Sequence, residues 1–448
     1  MMLSRMIKNL DYTLLFATAG IILFGLVVIG SASLEFTDDS FSQLKNLNII
    51  SRLFHLDFTT YMLKQLMWVI AGIFFMVVMI YIPYEDMVKH ARFLYIINLL
   101  LLAAVLFKGH TVFGAQRWIQ VGPYFTFQPS EFSKILMIIT FASFLVKRKG
   151  NLNNLKDLIP CFIYIGMPML LILAQPDLGT SMVFVVIMFV MLFFADAKPL
   201  LLFKIIGIGL VFTGLLILTH AYLHGAEREL EKQLVVLEEE KKKIAVMNVA
   251  NPADQEREEK YDSLWKKYQI VHERHEKFHK YTLKEYQITR LFIFINPQSD
   301  LLGDGYQIWQ SLISIGSGGL TGKGLLGGTQ THFTFLPVRH TDFIFSVVGE
   351  EFGFLGALVL LGLFFILIYR GMRIALEARD FPGSLLAVGV VSMFAFHVFI
   401  NIGMASGIMP VTGIPLPLFS YGGTSMIMNM MSLGLLLNIY VRRKKILF

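Results

Sequence analysis

The sequence is poor in cysteine and in charge. Cys161 is its one cysteine, which excludes a disulfide framework and says little about redox compartment. Near the end of an apolar stretch it reads as a small packed hydrophobe. Charged residues make up 16% of the 448 residues and hydrophobic ones 55%, with a mean hydropathy of +0.62. A water-soluble domain of this size is not so apolar, so the composition points to a polytopic membrane protein. No internal repeat is visible, and no cleavable leader is expected, because the first apolar stretch is a full span without a small-residue cleavage context. Acidic residues fall short of basic ones, giving a net charge of +7. Residues 223–290 hold 14 Lys/Arg and 14 Asp/Glu, so the excess lies on the membrane part. That suits anionic lipid headgroups and argues against nucleic acid as a partner.

Ten apolar stretches are long enough to be spans: 12–33, 61–82, 92–107, 132–146, 158–174, 179–195, 200–221, 343–369, 383–402 and 425–441. Basic residues cluster in alternate connections. They are Lys89 and Arg92, then Lys147, Arg148, Lys149 and Lys156, then Lys198, then Arg370, Arg373 and Arg379. Arg5 and Lys8 precede the first span; Arg442, Arg443, Lys444 and Lys445 follow the tenth. By the positive-inside rule both termini are cytoplasmic. The expected fold is all-α and polytopic, with about ten transmembrane helices and a large extracytoplasmic loop between spans seven and eight. Its parts are a membrane domain over 1–222, a charged helical insert over 223–290, an extracytoplasmic loop over 291–342, and further spans over 343–448.

Within the insert, Leu230, Leu234, Leu237 and Ile244 recur at helical spacing, as do Tyr261, Leu264, Tyr268 and Val271. Asn251 and Pro252 between them read as an N-cap and first helical position. Two charged helices outside the membrane are expected, serving as a solvated spacer or as a docking surface.

With this topology four polar or Gly/Pro-rich clusters share the outer face: 114–134, 174–181, 335–345 and 409–425. Each has a modest explanation. Gln128, Pro129, Ser130 and Glu131 resemble a helix start, and Glu131 and Lys134 could simply pair. Asp177 could cap a helix, Arg117 and Trp118 could anchor at the interface, and Asp342 could cap the eighth span. Four such clusters on one face favour a site. "GSGGLTGKG" (316–324) is not a phosphate loop, since Ser317 and Gly324 break that pattern. Its glycines suit a flexible or closely packed loop. His332, His340 and Asp342 lack the spacing of a zinc motif.

"AQRWIQVG", "FQPSEFSK", "QPDLGTS", "GYQIWQSLISIGSGGLTGKG", "FLPVRHTDFIF" and "PVTGIPLPLFSYGGTS" together resemble, in order, the signature blocks of the SEDS family (shape, elongation, division, sporulation). "GTQTHFTFLPVRHTDFIF" is nearer to its RodA branch than to its FtsW branch. Val338 stands where the family often has an acid, so no role rests on that position. The resemblance implies a peptidoglycan glycosyltransferase of the bacterial cytoplasmic membrane. It would polymerise lipid II at the outer leaflet beside a class B penicillin-binding protein, within the elongation machinery. It also implies a divalent cation, Mg or Mn, without indicating its ligands.

Under that resemblance Asp342 is the general base for the acceptor hydroxyl. Arg117 and Lys134, with Lys323 and Arg339 behind them, are the cations for the departing pyrophosphate. Trp118 would stack on a sugar or the isoprenoid, and His340 and Arg339 would tune or orient. Gln128, Pro129, Ser130, Glu131, Asp177, Ser420 and Tyr421 are supporting residues. Deeper in the eighth span, one of Glu350 and Glu351 is expected to pair with a buried cation and the other to face a water-filled cavity. Three alternatives stand beside this reading. One is a lipid-linked precursor flippase, with Asp177, Glu350, Glu351, His397 and Asn401 along its path. Another is a division or sporulation member of the same family. The last is an inactive scaffold, which has no need of Arg117, Lys134 and Asp342.

Overall fold

A computed structural model describes residues 9–34, 60–112, 115–121, 125–250, 263–273, 304–333 and 335–443. Arg5, Lys8, the Asn251–Pro252 junction, Lys444 and Lys445 lie outside these residues. The elements are, in order, α1 (Tyr12–Ala32), α2 (Thr60–Tyr81), α3 (Tyr84–Lys89), α4 (Ala91–Lys108), β1 (His110–Val112), β2 (Ala115–Val121) and β3 (Phe125–Phe127). They continue with α5 (Pro129–Val146), α6 (Leu155–Ala174), α7 (Leu178–Phe194), α8 (Pro199–Ala250) and α9 (263–273). The last are α10 (Asp304–Gly318), α11 (Thr329–His332), α12 (Ile344–Leu376), α13 (Phe381–Ala405) and α14 (Gly423–Val441).

Among the described residues seven helices are long and apolar enough to cross a membrane: α1, α2, α5, α6, α12, α13 and α14. Three shorter apolar helices, Ala91–Phe107, Leu178–Phe194 and Pro199–Leu215, occupy the remaining predicted stretches. The departure from an all-helical reading is a small antiparallel sheet in the order β1-β2-β3. β2 carries "AQRWIQV", with Ile119 opposite Phe127.

Chain contacts divide the molecule into two compact units, one of residues 1–202 with 293–448 and one of 203–292. In the second, α8 continues without interruption from the apolar stretch into the charged one. A separate charged helix was expected there. Gly225 is the one helix breaker between 222 and 250, and a single glycine costs a helix only about 1 kcal/mol. Leu237 and Val271 are buried, and the Tyr268 hydroxyl donates to Glu238 at 3.1 Å, so α8 and α9 pack together.

In the membrane unit the helices are fixed at one end by charged caps. Asp11 accepts from the Leu14 amide at 3.0 Å and from Arg370 Nε at 2.9 Å, joining α1 to α12. Asp380 caps α13 through the Gly383 amide at 2.9 Å. Small residues allow close helix approach, as in membranes generally. A Cβ on Gly434 of α14 would lie 2.6 Å from the Met76 carbonyl of α2.

The 304–333 segment descends beside α12. Ser311 bonds to Ser346 at 2.6 Å, and Gly318 abuts Gly349, so α10 runs in the direction of α12. The chain then crosses α12 where that helix is broken. Gly353 has φ 64 and ψ −159, a conformation closed to L side chains. It lies roughly 14 Å along the helix from its start at 1.5 Å per residue. A break leaves backbone groups without helical partners, and the glycine loop supplies them. Lys323 and Gly324 donate to the carbonyls of Glu350 and Glu351 at 3.0 and 2.8 Å. Phe354 and Leu355 donate to the carbonyls of Gly319 and Leu320 at 2.9 and 3.1 Å. The glycines therefore pack closely against α12.

Candidate active site

α11 returns the chain past two buried carboxylates. Glu350 accepts from Lys323 at 2.7 Å, from the Gln330 amide at 2.9 Å and from the Thr331 amide and hydroxyl at 3.1 and 2.8 Å. Glu351 accepts from Ser31 at 2.5 Å and lies 3.0 Å from His332 Nε2. Of the two, Glu350 is the one that pairs with a cation, but that cation is not buried as expected: the Lys323 side chain is 27% exposed. Glu351 instead faces a buried histidine.

The loop then turns at Val338, whose carbonyl accepts from the amides of Thr341 and Phe343 at 3.2 and 3.4 Å. Arg339 is buried, and its Nε donates to the Ala32 carbonyl at 2.6 Å. His340 packs on Tyr61 and Tyr421, with ring centroids 4.8 and 5.9 Å away. Burial, with Arg339 beside it, lowers the His340 pKa below that of a free imidazole, so the ring is neutral at pH 7.

α12 begins at Ile344 with Phe343 as its N-cap and no side-chain cap bond. Asp342 therefore sits one residue outside the capping position. Its carboxylate faces Gly413: a Cβ there would stand 3.7 Å from Oδ2. Three successive carbonyls hold its backbone. That of His340 accepts from the Tyr421 amide at 3.0 Å, that of Thr341 from Ser420 Oγ at 2.7 Å and that of Asp342 from Asn401 Nδ2 at 2.9 Å. Gln65 of α2 closes the turn behind them, donating to the Ser420 carbonyl and accepting from the Gly422 amide, both at 3.2 Å.

The other clusters join this one. Gln128 is the N-cap position of α5 and Pro129 its first residue. Asp177 caps α7 through the Thr180 amide at 3.2 Å and also accepts from Gln128 and Ser130, each at 3.4 Å. Arg117, on β2, donates to the carbonyls of Gln175 and Pro176 and approaches Asp177 to 4.0 Å. Trp118 is half-buried beside it on the same strand. The backbone of Thr412 meets Gly179, and Thr424 Oγ1 donates to the Thr126 carbonyl at 3.2 Å. All four predicted clusters are thus stitched together at one end of the bundle.

Lys134 is fully buried, 2.6 Å from Glu131 and 3.3 Å from His397 Nε2. His397 lies one turn from Asn401 on α13, so this ion pair supports the site from below. Lys323 belongs to the Glu350 network and stands apart from this cluster. Among the described residues no three His, Cys, Asp or Glu side chains could hold a metal ion together. The described residues therefore do not fit a resident cation caged by protein.

Reading the sequence passed over Tyr61, Gln65 and Gln175, and placed Asn401 and His397 only on a transport path. A usable signal was there. An amide or imidazole within an apolar span is costly and marks a functional candidate.

A family model for cell cycle proteins, that of FtsW, RodA and SpoVE, matches residues 12–244 and 270–445. Peptidoglycan glycosyltransferase MrdB of Escherichia coli K12 is 38% identical over 373 residues, covering 83% of this chain and 84% of that protein. Peptidoglycan glycosyltransferase RodA of Treponema pallidum is 34% identical over 449 residues, covering 98% and 99%. Among solved structures, a chain from work on the coordination of polymerization and crosslinking by a peptidoglycan synthase complex superposes with a TM-score of 0.67. It is 27% identical, with 97% of this chain and 99% of that one covered.

Proposed function

The chain belongs to the cell cycle protein family of FtsW, RodA and SpoVE, and on that footing we propose that it is a peptidoglycan glycosyltransferase that polymerises lipid II. It is a multi-pass protein of the bacterial cytoplasmic membrane. It works with a class B penicillin-binding protein in elongation and shape maintenance. The observation that carries this reading is the union of four polar clusters around Asp342 at one end of the bundle. A transport path needs polar groups through both leaflets, whereas these converge at one end.

In the proposed reaction Asp342 takes the proton from the acceptor sugar's 4-hydroxyl. The resulting oxygen attacks the anomeric carbon of the donor, and the bond to the pyrophosphate oxygen breaks. A single displacement on an α-linked donor inverts the centre and gives a β-linkage. Pyrophosphate leaves without needing a proton, so one base suffices. In this reading Arg117, whose side chain is 21% exposed, meets the developing charge. Lys134 and Lys323, each held by a carboxylate, act through those partners. Trp118, on the opposite face of β2 from Arg117, offers a face for a sugar or the isoprenoid. A divalent cation, were one to bind, would add to the neutralisation of the pyrophosphate charge, and no step here depends on it.

The test is polymerisation of labelled lipid II by the purified chain with its transpeptidase. Asp342→Asn, folded as judged by monodispersity and thermal unfolding, should make no glycan. Normal polymer from that variant would remove Asp342 as the base. Scrambling of lipid II in liposomes without any polymer would favour the flippase.

A further inference from the structure

Asn401 is fully buried in α13, a helix otherwise suited to lipid. A polar amide is costly in such a place unless its groups are matched. Here they are matched unevenly. Nδ2 donates twice, to the Asp342 carbonyl at 2.9 Å and to the Ile414 carbonyl at 2.8 Å. Oδ1 is buried and accepts from no described group. A residue kept only for packing would serve as well without that orphaned oxygen. The donor is the feature that has a use.

That use is visible in what the two carbonyls belong to. One is on the loop carrying Asp342. The other is next to Gly413, the residue that the Asp342 carboxylate faces. One nitrogen therefore sets the gap between the two walls that enclose the carboxylate. The other two pins do less. Tyr421 donates from its backbone, and the Ser420 hydroxyl also closes its own turn by accepting from the Leu416 amide at 2.9 Å.

We infer that Asn401 is a positioning residue. It holds the Asp342 backbone and the 413–414 wall in register, so that the carboxylate meets the acceptor hydroxyl at bonding distance. The inference rests on the reading of Asp342 as base. Geometry of this kind matters to rate because a misplacement of about 1 Å can cost on the order of 100-fold.

The test uses the full chain with its transpeptidase partner and lipid II. Asn401→Leu keeps the branching at Cγ and the number of heavy atoms, though with bulkier methyl groups, and removes the donor. Its kcat should fall roughly 30- to 100-fold while KM stays within about threefold. Hydrogen exchange should quicken in 338–344 and 411–416 and stay unchanged elsewhere in α12 and α13. A kcat within threefold of wild type overturns the inference, as does faster exchange spread along α12 and α13, which marks a general packing defect. Should Asn401→Leu fail to fold, Asn401→Ser retains one hydroxyl donor. It should lose about three- to tenfold in kcat with the same local exchange, and a wild-type rate from it overturns the inference. Asp342→Asn, assayed in parallel, separates the two claims. An active Asp342→Asn removes the base reading; an inactive one beside a fully active Asn401→Leu removes this inference alone.

Discussion

Lys323 and Glu350 form an ion pair of 2.7 Å where α12 is broken, and the carboxylate gathers four further hydrogen bonds from Thr329, Gln330 and Thr331. The two partners are not equivalent. Glu350→Ala leaves the ammonium with only the Thr329 hydroxyl, 2.8 Å away, leaves several buried donors without an acceptor, and should destabilise by roughly 3–5 kcal/mol. Lys323→Met leaves the carboxylate with its neutral donors and should cost less. Thermal unfolding in detergent gives the order. A Lys323→Met protein of normal stability but without polymerase activity would return Lys323 to the pyrophosphate.

Lys134 and Glu131 invite a paired test. Glu131→Gln leaves Lys134 buried with His397 as its neighbour and should lose about 3–5 kcal/mol. Adding Lys134→Met removes the uncompensated charge and should recover most of that loss. Polymerisation should not recover. Restored synthesis in the double variant would make the pair a structural element only.

Val338 has φ 53, a left-handed conformation that costs a β-branched residue roughly 1–2 kcal/mol. It is 41% exposed, so little packing depends on it. Val338→Asn suits that conformation and should stabilise the protein by about 1 kcal/mol. Its rate with lipid II should remain within twofold of wild type, as checked by unfolding and steady-state kinetics.

His340 is held neutral by burial and by Arg339. Its pKa is lower folded than unfolded, so protonation favours the unfolded chain. The penalty is absent above the unfolded value, near pH 6.5, and grows as pH falls towards the folded one. Between pH 7.5 and 5.5 the Tm of wild type should therefore drop further than that of His340→Phe, which retains the ring contact with Tyr61. Equal drops would mean that the imidazole stays solvated.

The spans were legible because a long apolar stretch has few other uses, and the helix starts at Gln128–Pro129 and Asp177 followed from their chemistry. In the candidate site, the residues that the sequence marked are mostly those that carry charge. The pins on Asp342 were not legible, because three of their partners are backbone carbonyls, which no side-chain pattern marks. Lys134 and His397 are 263 residues apart in the chain, so their meeting depends on how α5 and α13 pack. The glycines of 316–328 were read as a flexible or closely packed loop outside the membrane, and nothing in them showed that the partner they pack on is the interior of another helix. The sheet over 110–127 was hidden by short strands among aromatic and glycine residues.

The break at Gly353 has a consequence for how the protein is made. Unmatched backbone groups are too costly to leave in hydrocarbon, so the break in α12 depends on the glycine loop that meets it. Residues 304–333 are synthesised earlier, so the patch is ready before the helix that needs it. The Asp342 loop joins these two segments, and it reaches its final course only once they have locked. The course of the loop carrying Asp342 is thereby tied to completion of a joint deep in the bundle.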